Sequence, residues 1–159
     1  TGIMIMPMVV PIVISAVGIY FFYAWIGLTS TYIGMILAHT ALATPVVVIP
    51  VTATLQGFNR NQIRAGSSLG ASPATVFFKI TLPQILPGVI SGALFAFVTS
   101  FDEVIVALFI AGSEQYTLPR QMFAGIREKY NPTIAAVATM MIIVSVFLLV
   151  TVELLRRRS

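Results

Sequence analysis

The stretch Gln62-Ile-Arg-Ala-Gly-Ser-Ser-Leu-Gly-Ala-Ser-Pro-Ala-Thr-Val-Phe-Phe-Lys-Ile-Thr-Leu-Pro83 decides how the chain is read. Its local chemistry spells helix, turn, helix. Gly70 suits the position just past a helix C-terminus, where φ is positive and a Cβ is penalised. Ser72 is an N-cap, and Pro73 is the first residue of a second short helix. That helix offers Val76, Phe77, Phe78 and Ile80 as apolar groups. Exposed apolar residues on a short helix suggest a knob for a partner. The plainer alternative is an interfacial helix lying on lipid headgroups.

Outward from this stretch the chain turns apolar in both directions. A helix needs about 20 apolar residues to cross the roughly 30 Å hydrocarbon core. Four runs qualify, at about 3–26, 32–55, 86–111 and 133–155. None alternates as a barrel strand would. The expected fold is therefore all-α, a polytopic membrane helical bundle in one domain. Composition agrees: of 159 residues, 58% are hydrophobic and 9% charged, against about 25% charged in a soluble domain. The same figures exclude a disordered chain. The +4 net charge is too scattered for nucleic acid. With no cysteine and one histidine, disulfides, thiolate chemistry and a histidine metal site are not expected.

The first two runs are joined by Gly27-Leu28-Thr29-Ser30-Thr31, short enough for an antiparallel helical hairpin. Residues 56–84 and 112–131 are the polar segments. Two runs separate residues 56–84 from the tail Arg156-Arg157-Arg158, so these share one side, and it carries more basic residues than the other. The positive-inside rule makes that side, and the C-terminus, cytoplasmic, and residues 112–131 external. Asn131-Pro132 is an N-cap and first-turn proline for the fourth run. Pro45 and Pro50 predict a kink or break in the second, with Thr40 and Thr44 as partners for freed backbone groups.

The third run contains Asp102 and Glu103. Adjacent acids in an apolar span are costly to expose to lipid, and intramembrane acids commonly mark pathways. Gly88, Gly92, Ala96 and Ser100, continued by Glu103, Ala107 and Ala111, form a small-residue packing stripe, which puts Glu103 at a helix interface. Asp102, on the neighbouring face with Thr99 and Ser91, is the better candidate to contact substrate. The alternative is that the two carboxylates only hold the bundle together, for instance through Arg120 or Arg127. His39 is either a pathway or relay group or a packed, hydrogen-bonded histidine. Tyr20, Tyr23, Trp25 and Tyr32 suit an interfacial belt. Residues 117–130 suggest a short amphipathic helix with Leu118, Met122, Phe123, Ile126 and Tyr130 on one side.

Ala65, Leu69, Gly70, Ile80, Leu82 and Pro83, in this spacing, resemble the EAA loop of permease subunits of binding-protein-dependent ABC importers. The resemblance covers essentially the whole chain. It implies the type I (MetI-like) permease fold, with these four spans as the last four of six and an N-terminal part missing. It also implies that Arg64, Ala65, Gly66, Leu69, Gly70, Ser72, Pro73, Phe77, Lys79, Leu82 and Pro83 couple to a cytoplasmic ATPase. Arg64 stands where the loop's usual glutamate falls, and Gly66 where its second alanine falls, so the glutamate's role is not carried over. Ser100-Phe-Asp-Glu-Val104, Gly112, Thr117-Leu-Pro119 and Asn131-Pro-Thr-Ile-Ala-Ala136 resemble the spermidine/putrescine branch, most of all its second permease subunit. That implies a polycationic substrate, which suits two carboxylates electrostatically.

The chain carries no G-x-x-x-x-G-K-[ST] phosphate loop and no nucleophile elbow. The expectation is a non-enzymatic translocation subunit of a bacterial inner membrane, binding no cofactor itself. ATP and Mg would be used by cytoplasmic ATP-binding subunits. A second permease subunit, an extracytoplasmic solute-binding protein and membrane lipid complete its partners. Asp102, Glu103, Thr99 and His39 would line the substrate pathway. The rival readings are a channel or ion-coupled carrier without ATPase, an importer of another small organic solute, and a membrane scaffold.

Overall fold

The computed structural model describes residues 2–128 and 132–157. Its helices are α1 (Gly2–Val9), α2 (Ile12–Ile26), α3 (Tyr32–Gln56), α4 (Asn61–Ser68), α5 (Pro73–Val76), a π-helical segment (Phe77–Thr81), α6 (Leu82–Phe101), α7 (Ile105–Ile110), α8 (Leu118–Glu128) and α9 (Pro132–Arg157). Among the described residues there is no strand. Asn131, Tyr130, Lys129 and Arg158 lie outside the described residues, as do the side chains of Arg127, Arg156 and Arg157.

Among the described residues, three helical stretches are long and apolar enough to cross a membrane: Tyr32–Gln56, Pro73–Phe101 and Pro132–Thr151. The first apolar run differs from a single rod. It breaks at Val10-Pro11, and only Ile12–Ile26 continues as a shorter apolar helix. Pro11 has no N–H to donate, and its ring pushes the preceding residue out of the helical region. Its carbonyl instead accepts Ile14 N–H at 2.9 Å and opens α2.

The link from Gly27 to Thr31 ends one helix and caps the next. Gly27 takes φ +74°, and Leu28 N–H reaches back to the Tyr23 carbonyl at 2.9 Å, satisfying an end carbonyl. Thr31 Oγ1 accepts Gly34 N–H at 3.0 Å, the N-cap bond of α3. Yet the link does not make a packed hairpin. α2 packs chiefly on α7, and α3 chiefly on α6. The cause is α7 itself: Val106, Ala107 and Ile110 are buried among Ala16 and Tyr23 of α2 and Met35 and Ala38 of α3. Tyr23 is thus a core residue, whereas Trp25, Tyr20 and Tyr32 are exposed.

α3 runs unbroken through Pro45 and Pro50. Thr40 and Thr44 each donate to a carbonyl one turn back in their own helix, Ile36 at 2.7 Å and Thr40 at 2.7 Å. The groups they satisfy are not the carbonyls that the prolines leave free. The small-residue stripe explains how α6 seats on α3. A β-carbon on Gly92 would lie 3.1 Å from Val47 Cα, and one on Gly88 would collide with the Thr54 side chain. Close backbone approach is how helices gain packing energy where lipid gives no hydrophobic drive.

α5 is not a separate short helix. It passes through the π-helical segment directly into α6, where Leu82 N–H bonds the Phe77 carbonyl five residues back. Pro83, which cannot donate and crowds the carbonyl four residues before it, accounts for the widened turn. The third apolar run also differs from a continuous helix. α6 ends at Phe101, residues 102–104 are non-helical, and α7 starts afresh at Ile105.

Candidate functional site

Candidate residues gather at the two ends of the rod formed by α5, the π-helical segment and α6. At the N-terminal end, Gly70 takes φ +82°. Its N–H bonds the Ser67 carbonyl at 3.0 Å, and Ala71 N–H bonds the Gly66 carbonyl at 3.1 Å. This paired motif closes α4. Ser72 Oγ then accepts Thr75 N–H at 3.3 Å to open α5, with Pro73 in the first turn. The side chains of Gln62 and Gln84 are hydrogen-bonded, tying α4 to the start of α6.

Gly66 is the contact point between the two helices. A β-carbon there would lie 2.7 Å from Ile80 Cδ1 and 3.3 Å from Val76 Cγ2. Val76 is accordingly 5% exposed, and Ile80 is half-buried. These two residues therefore belong to the packing and are not on offer to a partner, which corrects the expectation of a four-residue apolar knob. What remains outside is Leu69 at 88% exposure, with Phe77 and Phe78 also exposed. The two rings meet edge to face at 5.1 Å. Arg64, Ala65, Ser72, Pro73, Lys79 and Pro83 are exposed around them, and Leu82 is half-buried.

At the C-terminal end of α6 the two acids part company. Asp102 follows the last helical residue, its N–H still bonded to the Val98 carbonyl at 3.1 Å, and it is exposed. Glu103 is 7% exposed. Its Oε1 accepts Val106 N–H at 2.6 Å, within the first turn of α7. A buried carboxylate is costly unless it is paired and hydrogen-bonded, and this amide meets part of that cost. Glu103 and Thr99 line a cavity of about 440 Å³, with Pro7, Pro11, Pro45 and Val46 among its other walls. Asp102 is not among the residues around it.

His39 Nδ1 and Ser100 Oγ lie 2.8 Å apart, bridging α3 and α6. His39 Nε2 is buried and has no hydrogen-bond partner among the described residues. The pair lines a different, mostly apolar cavity of about 640 Å³, between α3, α6 and Pro119 at the start of α8. The four pathway candidates therefore divide: Thr99 with Glu103, His39 apart, and Asp102 exposed. Sequence reasoning missed the Val10-Pro11 break as a wall of the acidic cavity, although Pro7 and Pro11 advertise it.

Arg120 does not serve the acids. Its Nη1 donates to the Gly112 carbonyl at 2.8 Å, and its guanidinium lies over the Tyr116 ring at 5.1 Å. Gln115 Oε1 accepts Gly112 N–H at 3.0 Å, and Tyr32 Oη donates to the Glu114 carbonyl at 2.9 Å. Arg120 is thus the clasp of the 112–120 loop, and Tyr32 ties that loop to the start of α3. Beyond the loop, Gly125 lets α8 approach Ile134 of α9, where a β-carbon would lie 2.8 Å from Ile134 Cδ1.

Residues 1–159 match the family model described as binding-protein-dependent transport system inner membrane component. The spermidine/putrescine transport system permease protein PotC of Haemophilus influenzae is 32% identical over 159 residues, 100% of this chain and 62% of its own length. The putrescine transport system permease protein PotI of Escherichia coli K12 is 41% identical over 106 residues, 67% of this chain and 38% of its own length. PotC of Escherichia coli K12 is 27% identical over 157 residues, 99% of this chain and 60% of its own length. The chain thus spans about six-tenths of the length of the PotC proteins it matches. A bundle of apolar helices, jointed at an acidic break and carrying a capped helical turn at one end, belongs to the family of inner membrane components of binding-protein-dependent transport systems.

Proposed function

We propose that this chain is the translocating part of an importer permease subunit that moves small organic polycations, such as spermidine or putrescine, across the inner membrane. The observation that carries the reading is Glu103: a buried carboxylate at a helix break, one oxygen held by the α7 amide, lining a cavity with Thr99. A protonated amine entering there meets an acid that is already desolvated, so the attraction is less screened than at a surface. Exposed Asp102 beside it adds a second negative charge on the way in. The polyamine names of the similar permeases support the same substrate class.

In this reading residues 56–84 and the C-terminus are cytoplasmic, following the basic residues, and residues 112–131 are external. Leu69, Phe77 and Phe78 form the knob that an ATPase subunit grips. ATP-driven closure of that subunit moves α4 and α5. The π-helical segment and α6 carry the displacement along one continuous rod to the joint at 102–104, which exposes the acidic cavity to the outside and then to the inside. A second permease subunit completes the pore, and an external solute-binding protein delivers the substrate. ATP and Mg are handled by the partner, not by this chain.

The test is uptake by vesicles holding the complete permease with its second permease, ATPase and binding protein. Polyamine accumulation that requires ATP supports the reading. Accumulation of a different solute, with polyamines inert, removes the substrate assignment.

A further inference from the structure

We infer that the C-terminal end of α1 is the second half of the cation site that Glu103 begins: the end carbonyls of Pro7, Met8 and Val9 accept the N–H donors of a primary alkylammonium group. This rests on the functional reading above and adds the feature that separates a primary amine from other cations. α1 stops at Val9. Its last carbonyls would ordinarily take the N–H groups of residues 11, 12 and 13. Pro11 has no N–H to give. The backbone bonds at the break run inside the start of α2, from Ile14 and Ser15 to the Pro11 carbonyl, and among the described residues none crosses back to α1. Non-helical backbone at membrane depth persists only where it is buried in protein or lines a water-filled cavity. Pro7, Met8 and Val9 all line the cavity that holds Glu103 and Thr99.

The other wall completes a set of acceptors. Val46 lines the same cavity, and Pro50, four residues on, takes away its helical donor. Glu103 is 7% exposed. One of its oxygens takes the Val106 N–H, and among the described residues no donor reaches the other. No Lys, Arg or His is among the residues around this cavity. The cavity therefore offers carbonyls, one hydroxyl and half a carboxylate, beside the negative end of the α1 dipole. A buried carboxylate is costly without a countercharge. A primary ammonium supplies one positive charge and three N–H donors, so it meets the carboxylate and the orphan carbonyls together. A quaternary ammonium brings the charge and no donor.

The experiment is equilibrium binding of labelled putrescine to the complete permease with its second permease, without the binding protein. The competitors are putrescine, its bis(trimethylammonium) analogue, sodium and potassium. The analogue is expected to compete about tenfold more weakly than putrescine. Pro11→Ala returns an N–H to the Pro7 carbonyl; it should weaken putrescine about tenfold and leave the analogue unchanged. Pro50→Ala should do the same at Val46 by a smaller factor. Glu103→Gln should weaken both amines. Equal competition by the two amines in the parent overturns the carbonyl half of the site and leaves the functional reading standing. So does a folded Pro11→Ala that binds putrescine as the parent does, which reduces the analogue's weakness to its size, or one that weakens both amines alike. Displacement by sodium or potassium at putrescine's own concentration gives the carbonyls to an alkali ion and overturns the inference. Should Pro11→Ala fail to fold, the parent's competition ratios and Pro50→Ala decide. A parent that binds no amine overturns the inference, whereas uptake of a different solute with polyamines inert removes the reading beneath it.

Discussion

Glu103 holds the first turn of the helix that Ile105 begins: its carboxylate accepts the Val106 N–H at 2.6 Å, and both residues are buried. One side chain therefore ties off a helix break and brings a negative charge to a cavity wall. The two roles separate by substitution. Glu103→Gln keeps an acceptor oxygen and loses the charge. Glu103→Ala loses both.

Glu103→Ala is expected to lower thermal stability in detergent by the equivalent of about 1–3 kcal/mol, the usual cost of leaving a buried N–H without its partner. Glu103→Gln should cost less than half of that. Both should reduce polyamine uptake at least tenfold, since both remove the charge. Normal uptake by the glutamine variant would make Glu103 a structural cap alone.

Gly70 holds φ +82° with nothing within 4 Å of the place a β-carbon would take. The cost of replacement is thus conformational rather than steric, roughly 1–2 kcal/mol for most residues and less for asparagine. Gly70→Asn should keep most substrate-stimulated ATP hydrolysis, and Gly70→Val should lose most of it with normal membrane insertion. Equal activity in the two variants would mean that the turn does not transmit coupling.

Gly66 presents the opposite case, a steric one. The nearest atom to an added β-carbon is Ile80 Cδ1 at 2.7 Å, the tip of a flexible side chain. Gly66→Ala should therefore be absorbed by a small shift of Ile80. Gly66→Leu should part α4 from α5 and cost about 1–3 kcal/mol by overpacking. Comparing expression yield and ATPase retention of the two variants checks this.

His39 and Ser100 join α3 to α6 through one hydrogen bond. A double-mutant cycle of His39→Ala and Ser100→Ala should return a coupling of about 0.6 kcal/mol, the average for side-chain bonds between membrane helices. Uptake should change less than with Glu103→Gln, because His39 lines the other cavity.

Local chemistry was the most legible part of the sequence. Gly70, Ser72 and Pro73 each act within a few residues, and turn geometry follows from side-chain identity alone. The apolar runs were legible as helices because about 20 residues of hydropathy average out local detail. The same averaging hid the joints. Val10-Pro11 and residues 102–104 are too short to lower a long window, although Pro11 and the adjacent acids both mark a place where helix is costly. Helical phase carried past Phe101 puts Glu103 at a helix interface and Asp102 on the neighbouring face, and in the structure Glu103 is buried and Asp102 exposed. The hydrogen bond that holds the buried Glu103 carboxylate comes from the new start at α7, which no period in α6 foretells. The four-residue spacing of Val76 and Ile80 already separated them from Phe77 and Phe78. Which face turned inward depended on the missing β-carbon of Gly66, a tertiary fact. The insertion of α7 against α2 and α3 is likewise a matter of packing, so a short link alone misread it as a hairpin.

The most direct measurement is uptake of labelled spermidine into vesicles containing the complete permease, its second permease and its ATPase, with binding protein outside and ATP inside. The account predicts accumulation that stops without ATP and falls at least tenfold with Glu103→Gln. Accumulation that persists without ATP, or is absent with every partner present, would contradict it.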